Sequence, residues 1–388
     1  MPSHLSLAAA PAAPVPALAW QVGIGNVWDV AAGQPGLAVL WQGSGTAPGF
    51  FLSVLNSSGA VLAELPLDQY DPVLASPAAG RSWLTAWLGG SPATAAVAGA
   101  SSLYLARQAT GNFTTAPAPL PAGARLDAIV GAGQKALAFL HLGDNEVLDA
   151  VESQKPLEAG TPVFTFSQAV PLAFAVMPAA TGGATPGDGY AAASMYRSGS
   201  NPGSVAVLSD LRGRILWQHD LPFAYKAWYA VAIAGSGQSL WATSDTLVSL
   251  SSQGQVLWQA PVAGVVRSVS AMYTRGFAVQ TAYGWPAADT LVTFFDTQGR
   301  TMWATRLPGS PLGIYDAGGA VPPGGKGAVA MVAVSAEAAY GLDGEGKKLW
   351  EIHLPSGKIT WATLLQDEGL LLLDDGQSLY AYRLSGSD

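Results

Sequence analysis

The segment Asp210-Leu-Arg-Gly-Arg-Ile-Leu-Trp217 has three further copies along the chain. The copies are residues 251–258 (SSQGQVLW), 296–303 (DTQGRTMW) and 343–350 (DGEGKKLW). Each has a glycine four residues before a tryptophan, an apolar residue directly before that tryptophan, and a proline within five residues after it. A polar turn with a glycine at positive φ, followed by an apolar strand, is typical of a β-hairpin. The repeat therefore predicts hairpins whose return strand carries the tryptophan.

Weaker copies extend this series towards the N-terminus. Residues 56–63 keep the turn glycine but end in Ala63, and the copies that end at Thr115 and Ala159 are fainter. Trp20 matches the return strand without the arm that should precede it. The marker positions are 20, 63, 115, 159, 217, 258, 303 and 350, which are 41 to 58 residues apart. Repeats of about 40–50 residues with four strands each are typical of propeller blades.

The two ends of the chain complete each other. Residues 379–386 form a hairpin arm with a terminal glycine, and the chain ends where a tryptophan-bearing strand should follow. The strand around Trp20 supplies the missing piece. The sequence thus predicts an all-β fold: an eight-bladed β-propeller of four-stranded antiparallel blades, closed by pairing of the N-terminal strand with the C-terminal blade. Such closure removes free sheet edges. We expect residues 1–15 to be a flexible Ala/Pro leader and residues 16–388 to be a single propeller domain.

The composition excludes several classes of function. Charged residues make up 11% of the 388 residues, against about 25% in ordinary soluble chains. The net charge of −8 argues against nucleic acid or anionic lipid as a partner. With no cysteine, there is no disulfide, thiolate zinc site, iron–sulfur cluster or cysteine nucleophile. No apolar run approaches the roughly 20 residues that a transmembrane helix needs.

The run Ala339-Tyr-Gly-Leu-Asp-Gly-Glu-Gly-Lys-Lys-Leu-Trp350 resembles the tryptophan-docking repeat of pyrroloquinoline-quinone-type β-propellers. That family contains quinoprotein dehydrogenases and also non-catalytic scaffolds. One scaffold, the propeller lipoprotein of the bacterial outer-membrane β-barrel assembly machinery, is similar in length and repeat style. The resemblance implies a propeller fold, in which the tryptophans dock between blades. We find no stretch that matches the metal and base residues of the dehydrogenases, so we expect no cofactor.

The repeated tryptophans are interpreted as packing residues rather than as a ligand platform. Packing between repeats requires a tryptophan at the same position of each repeat, and each indole buried in this way removes ~150–250 Å² of surface from water. The structural docking set is Trp20, Trp217, Trp258, Trp303 and Trp350.

Partner binding should come from residues that differ between repeats. The Gly/Pro-rich inserts near residues 181–203 and 281–287 depart most from the repeat, and exposed loops commonly carry function. They bring residue types that are enriched at interface hot spots, and we take Tyr196, Arg197, Tyr283 and Trp285 as candidate partner-binding residues. The alternative site is the mouth of the central channel, at Trp28, Trp228 and Trp361, for which packing is the competing interpretation.

These observations predict a non-catalytic propeller scaffold for protein–protein interaction in the bacterial cell envelope. The scarcity of charge and of lysine favours an extracytoplasmic location, in the periplasm or associated with the outer membrane. Two alternatives stay open. One is a quinone-dependent dehydrogenase of a reduced type. The other is a propeller that binds or cleaves carbohydrate through its channel aromatics.

Overall fold

A computed structural model describes most of the chain. The described residues are 14–33, 35–43, 49–68, 70–71, 84–88, 93–109, 112–132, 135–142, 145–151, 164–167, 169–177, 190–197, 203–210, 214–220, 230–234, 236–243, 245–272, 275–284, 289–317, 328–366 and 368–384. Every regular element among them is a β-strand. The strands form four-stranded antiparallel sheets, which we number I to VIII.

In sheets I to IV, four strands that follow one another in sequence lie side by side. Sheet I contains β2 (Asn26–Ala32), β3 (Leu37–Gly43), β4 (Gly49–Leu55) and β5 (Val61–Pro66). Sheet II contains β6 (Thr85–Leu88), β7 (Thr94–Ala98), β8 (Ser102–Ala109) and β9 (Asn112–Pro119). Sheet III contains β10 (Ala124–Ala132), β11 (Lys135–Leu142), β12 (Asn145–Val151) and β13 (Phe164–Ser167). Sheet IV contains β14 (Ala169–Met177), β15 (Tyr190–Arg197), β16 (Gly203–Asp210) and β17 (Ile215–Asp220).

Sheets V to VII repeat this order, and sheet VIII combines the two ends of the chain. Sheet V contains β18 (Ala230–Ile233), β19 (Ser239–Ala242), β20 (Thr246–Leu250) and β21 (Val256–Pro261). Sheet VI contains β22 (Val265–Ala271), β23 (Gly276–Tyr283), β24 (Asp289–Asp296) and β25 (Thr301–Leu307). Sheet VII contains β26 (Pro311–Asp316), β27 (Met331–Ser335), β28 (Ala339–Leu342) and β29 (Lys348–Ile352). Sheet VIII contains β30 (Trp361–Leu365), β31 (Leu370–Asp374), β32 (Ser378–Arg383) and β1 (Ala17–Gly23), in the order β1-β32-β31-β30.

The repeated hairpin turn closes through its first side chain. In residues 296–300, Asp296 Oδ1 accepts hydrogen bonds of 2.9 Å from the backbone N–H groups of Gln298 and Arg300. Asp343, Ser251 and Asn56 accept the corresponding pair of backbone hydrogen bonds in their own turns. The glycine in the fourth position of each of these turns has a φ of +79°, which an L-residue adopts only at a cost. This is why aspartate, serine or asparagine begins the repeat and glycine follows three residues later.

The hydrophobic core lies between the sheets. The second strand of a sheet is covered on both faces, so that β31 reads Leu-Leu-Leu-Leu-Asp and is buried at every position. One buried cluster joins sheets VII and VIII and includes Tyr315, Trp350 and Leu371. From sheet I to sheet VIII, the first strand of each sheet contacts the first strand of the next. The prediction of an all-β fold with four-stranded antiparallel sheets is confirmed, whereas the number of blades and the closure of the ring stay predictions.

Candidate functional site: the sheet VI rim

The marker tryptophans lie against the turn glycines of the neighbouring sheet. A β-carbon added to Gly346 would lie 2.5 Å from Trp303, which belongs to the preceding sheet. The same relation holds for three other pairs: Trp20 with Gly59, Trp217 with Gly254 and Trp258 with Gly299. Only glycine allows the indole to approach the backbone this closely. These contacts tie each of four sheets to its neighbour.

The indole N–H groups distinguish two kinds of contact. Trp303 Nε1 donates to the carbonyl of Gly344 at 3.0 Å, and Trp258 Nε1 donates to the carbonyl of Thr297 at 3.1 Å. Each acceptor lies two residues before the turn glycine. Trp20 Nε1 and Trp217 Nε1 are buried without a hydrogen-bond partner among the described residues. Trp350 is 4% exposed and lies against Gly341 of its own sheet, with which it pairs between β28 and β29.

The candidate partner-binding residues fall at equivalent points of two sheets. Arg197 is the last residue of β15 in sheet IV, and Tyr283 is the last residue of β23 in sheet VI. Both therefore precede the loop that joins the second and third strands. Tyr196 is next to Arg197, and the side chains of both lie outside the described part, as does all of Trp285. Sheet V separates the two positions.

Around Tyr283 the structure assembles a cluster, which we call the sheet VI rim: Tyr283, Asp289 and Arg306. Tyr283 is 42% exposed and pairs in register with Asp289 across the β23–β24 hairpin. The Arg306 guanidinium lies over the Tyr283 ring, with 5.5 Å between Cζ and the ring centroid. Arg306 Nε and Nη2 both contact Asp289 Oδ2, at 2.6 and 2.5 Å. The ion pair thus holds the cation on the aromatic ring.

This arrangement presents a preorganised aromatic and cationic surface. A cation–π contact at an exposed site contributes ~0.5–1 kcal/mol, and its larger effect here is to limit the rotamers of Tyr283 and Arg306. Tyrosine and arginine are enriched among interface hot spots, and a rigid pair loses less entropy on binding. Sequence reasoning found Tyr283 and missed Asp289 and Arg306. The available signal was that Tyr283 and Asp289 flank one short hairpin.

The structure describes two of the three residues of the alternative binding site at the channel mouth, Trp28 and Trp361. Trp28 lies at an irregularity in the β2–β3 pairing, where the register shifts between Val27 and Asp29. Its ring packs edge-on against Phe50, with 5.1 Å between centroids. Trp361 begins β30 and is partly buried against a hydrophobic cluster. Trp228 lies outside the described residues. For Trp28 and Trp361 these contacts favour the packing interpretation.

Asp29 is a buried carboxylate that accepts hydrogen bonds from two neighbouring sheets. It is 5% exposed, and its Oδ2 accepts hydrogen bonds from the backbone N–H groups of Leu84 and Thr85, each at 2.8 Å, and from Thr85 Oγ1. Its Oδ1 accepts from the Val30 N–H. These donors come from sheets I and II and from the residue just before β6. The carboxylate therefore joins the sheets and is a structural group.

Within the described residues, no three histidine, aspartate or glutamate side chains lie close enough together to hold a metal ion. The same residues contain no helix with the length and hydropathy required to cross a membrane.

Comparison with known proteins identifies the type of fold. Residues 201–387 match the family model described as "Outer membrane protein assembly factor BamB". No curated protein matches the sequence. Among solved structures, the Dos1 propeller has a TM-score of 0.63 at 9% identity and covers 94% of this chain and 95% of its own. Sqt1 from Chaetomium thermophilum has a TM-score of 0.61 at 11% identity, with coverages of 92% and 96%.

A third similar structure, BBS1N in complex with ARL6DN, has a TM-score of 0.55 at 13% identity and covers 83% of this chain and 97% of its own. At these identities the likeness concerns the fold alone. The sheets, the repeated turns and the family match agree with one another. The chain therefore has a β-propeller fold, and over residues 201–387 it is similar to the family described as outer membrane protein assembly factor BamB.

Proposed function

We propose that this propeller is a non-catalytic scaffold that binds another protein through the sheet VI rim. The observation that carries the proposal is the exposed Tyr283 ring with Arg306 fixed over it by Asp289. The docking tryptophans and Asp29 are occupied in joining sheets, so they are not free to bind a partner. The rim cluster differs in this respect, because Tyr283 and Arg306 are exposed to solvent.

The proposed binding surface extends from sheet VI towards sheet IV. Arg197 ends β15 at the position that Tyr283 occupies in β23, so by the repeat their loops open on the same side of the sheets. Tyr196 and Trp285 belong to these two segments. We therefore assign Tyr196, Arg197, Tyr283 and Trp285 to one partner-binding surface, with Arg306 and Asp289 as its ordered centre.

The scaffold is proposed to be a closed ring of eight blades, sheets I to VIII. Two observations support this. Strand β1 pairs antiparallel with β32, in a register that runs from Ala17 opposite Arg383 to Gly23 opposite Ser378. In addition, β2 of sheet I contacts β30 of sheet VIII. A rigid ring holds loops from different blades in fixed relative positions, which a multi-loop binding surface needs.

The proposed location is the bacterial cell envelope, in the periplasm or at the outer membrane. The matching family is described as an outer membrane protein assembly factor, and the low charged fraction of 11% agrees with an exported protein. By the same analogy, we expect the partner to be an envelope or membrane-associated protein.

A pair of arginine variants tests the binding surface. Arg306 and Arg300 both form an ion pair with an aspartate of β24, but at opposite ends of that strand. A photoreactive residue in place of Tyr283, in living cells of the source organism, should yield one cross-linked envelope protein. The affinity of the propeller for this purified partner should fall roughly 5- to 150-fold, or by about 1–3 kcal/mol, when the propeller carries Arg306→Ala. Arg300→Ala should bind as the parent does.

Two outcomes would overturn the proposal. Equal affinity of Arg306→Ala and Arg300→Ala would remove the sheet VI rim as the binding surface. Dye-linked alcohol or sugar oxidation by the parent protein, after addition of the quinone and calcium, would show a catalytic role instead.

A further inference from the structure

A second buried carboxylate, Asp374, lies where the last sheet meets the first. Asp374 ends β31 in sheet VIII and is 0% exposed. Its Oδ2 accepts hydrogen bonds from Thr360 Oγ1 at 2.7 Å and from the Gly376 N–H at 3.0 Å. A third, longer hydrogen bond of 3.4 Å comes from the Val27 N–H. Because Val27 belongs to β2 of sheet I, this carboxylate bridges the two sheets.

The other oxygen of Asp374 differs from Oδ2. Oδ1 is buried and accepts no hydrogen bond from the part of the chain that the structure describes. Asp29, at the junction of sheets I and II, has backbone donors on both of its oxygens. An ionised carboxylate in the Asp374 position would therefore have one buried oxygen that no described group stabilises, and burying a charge in this way is costly.

None of the described groups that shift the pKa of Asp374 carries a positive charge. Its three donors, the Thr360 hydroxyl and the Val27 and Gly376 amides, are neutral. The adjacent Asp375 carboxylate opposes ionisation, and the Tyr380 phenol donates to Asp375 Oδ2 at 3.2 Å rather than to Asp374. Burial, the largest influence, raises the pKa of Asp374 from 3.8 to about 6.

We propose that Asp374 is a proton-controlled latch between sheet VIII and sheet I. When protonated, the side chain is neutral and bridges the two sheets through Oδ2. When it loses its proton to water, the buried charge weakens the same junction and favours separation of the N-terminal segment, β1 and the start of β2, from the other three strands of sheet VIII. The latch concerns the junction of the two chain ends and is independent of partner binding at the sheet VI rim.

The sign of the pH dependence follows from the direction of the shift. The folded-state pKa lies above the ordinary value, so the protonated latch contributes its full stabilisation below about pH 4 and loses it as the pH rises through about 6. Each unit of raised pKa corresponds to tenfold in the opening equilibrium. Opening of this junction should therefore become roughly a hundredfold easier between about pH 4 and pH 7.

Hydrogen exchange of the intact protein tests the latch. The measurement is the protection of the Val27 amide and of the β1 residues 17–23, corrected for intrinsic exchange, from pH 4.5 to 8. In the parent protein, protection should fall as the pH rises towards about 6 and level off above it, while the amides of sheet V serve as an internal reference and stay constant. In Asp374→Asn, a neutral side chain of the same shape, protection should not vary with pH.

Two results would overturn the latch. One is an equal pH dependence at β1 and in sheet V, which would indicate a global effect. The other is a pH dependence in Asp374→Asn that equals that of the parent. If the asparagine variant does not fold, the ¹³C chemical shift of the Asp374 carboxyl carbon in the parent protein decides, since a titration midpoint at or below 4 contradicts the proposal.

Discussion

Replacing Gly346 by alanine places a methyl group in the space that the Trp303 ring occupies. The added β-carbon would lie 2.5 Å from Trp303 Cε3 and 2.9 Å from Thr305 Oγ1. Real β-carbons do not approach other atoms so closely, so the indole must move. Movement of the ring would also break the 3.0 Å hydrogen bond from Trp303 Nε1 to the Gly344 carbonyl.

The expected cost has three parts. Gly346 has a φ of +79°, and alanine in this region costs about 1–2 kcal/mol from the backbone alone. Loss of the indole hydrogen bond adds about 1 kcal/mol, and incomplete repacking of the ring adds about as much again. We therefore expect Gly346→Ala to lower the free energy of unfolding by roughly 3–4 kcal/mol.

Gly357→Ala is the matched control. Gly357 has a φ of +70°, and a β-carbon there would meet no atom within 4 Å. Urea unfolding should show a loss of only about 1–2 kcal/mol for this variant. In a Trp303→Ala background, Gly346→Ala should cost less than it does in the parent background, because the colliding ring is gone and only the close contact with Thr305 Oγ1 remains. Equal costs for Gly346→Ala and Gly357→Ala in the parent background would refute the docking contact.

Two other changes test the junctions between sheets. Deleting residues 1–23 removes β1 and exposes the edge of β32, so light scattering should detect aggregation. Deleting residues 1–13 is the control and should leave the unfolding midpoint nearly unchanged. Equal behaviour of the two truncations would contradict the role of β1 in sheet VIII. Asp29→Ala leaves the N–H groups of Leu84 and Thr85 without their acceptor and should lower the free energy of unfolding by about 2–4 kcal/mol. Ordinary surface substitutions change this free energy by less than about 0.5 kcal/mol. A change that small would contradict the role of Asp29 between sheets I and II.

The hairpins could be read from the sequence because their cause is local. Asp296 and Gly299 are three residues apart, and their hydrogen bond and φ values depend on little beyond that turn. The strands that lead into the turns at Ser251 and Asp296 are β20 and β24. The turn at Asp375 was also predictable, and its side chain accepts from the Gln377 and Ser378 N–H groups. The marker at Ala159 lies outside the described residues.

The contacts of the candidate site depend on register and could not be read in this way. Arg306 reaches Tyr283 only because β23, β24 and β25 align as they do, and a shift of one residue would turn Arg306 to the other face of the sheet. The hydrogen bonds from Leu84 to Asp29 and from Val27 to Asp374 span 55 and 347 residues of chain. The sequence repeat does not include these partners, since each carboxylate occurs in one sheet and has no counterpart in the marker pattern.

The tryptophan–glycine contacts have a consequence for what can fold alone. In Trp217–Gly254, Trp258–Gly299 and Trp303–Gly346, the ring belongs to one repeat and the glycine to the next. In a single repeat cut from the chain, the tryptophan would lose its glycine partner and the turn glycine would lose its tryptophan partner, so both would be exposed to solvent. Linear repeat proteins can lose an end unit and keep the rest. Here, removal of any of these sheets deprives a neighbour of its contact, so we expect the molecule to melt in one cooperative transition rather than to fray unit by unit.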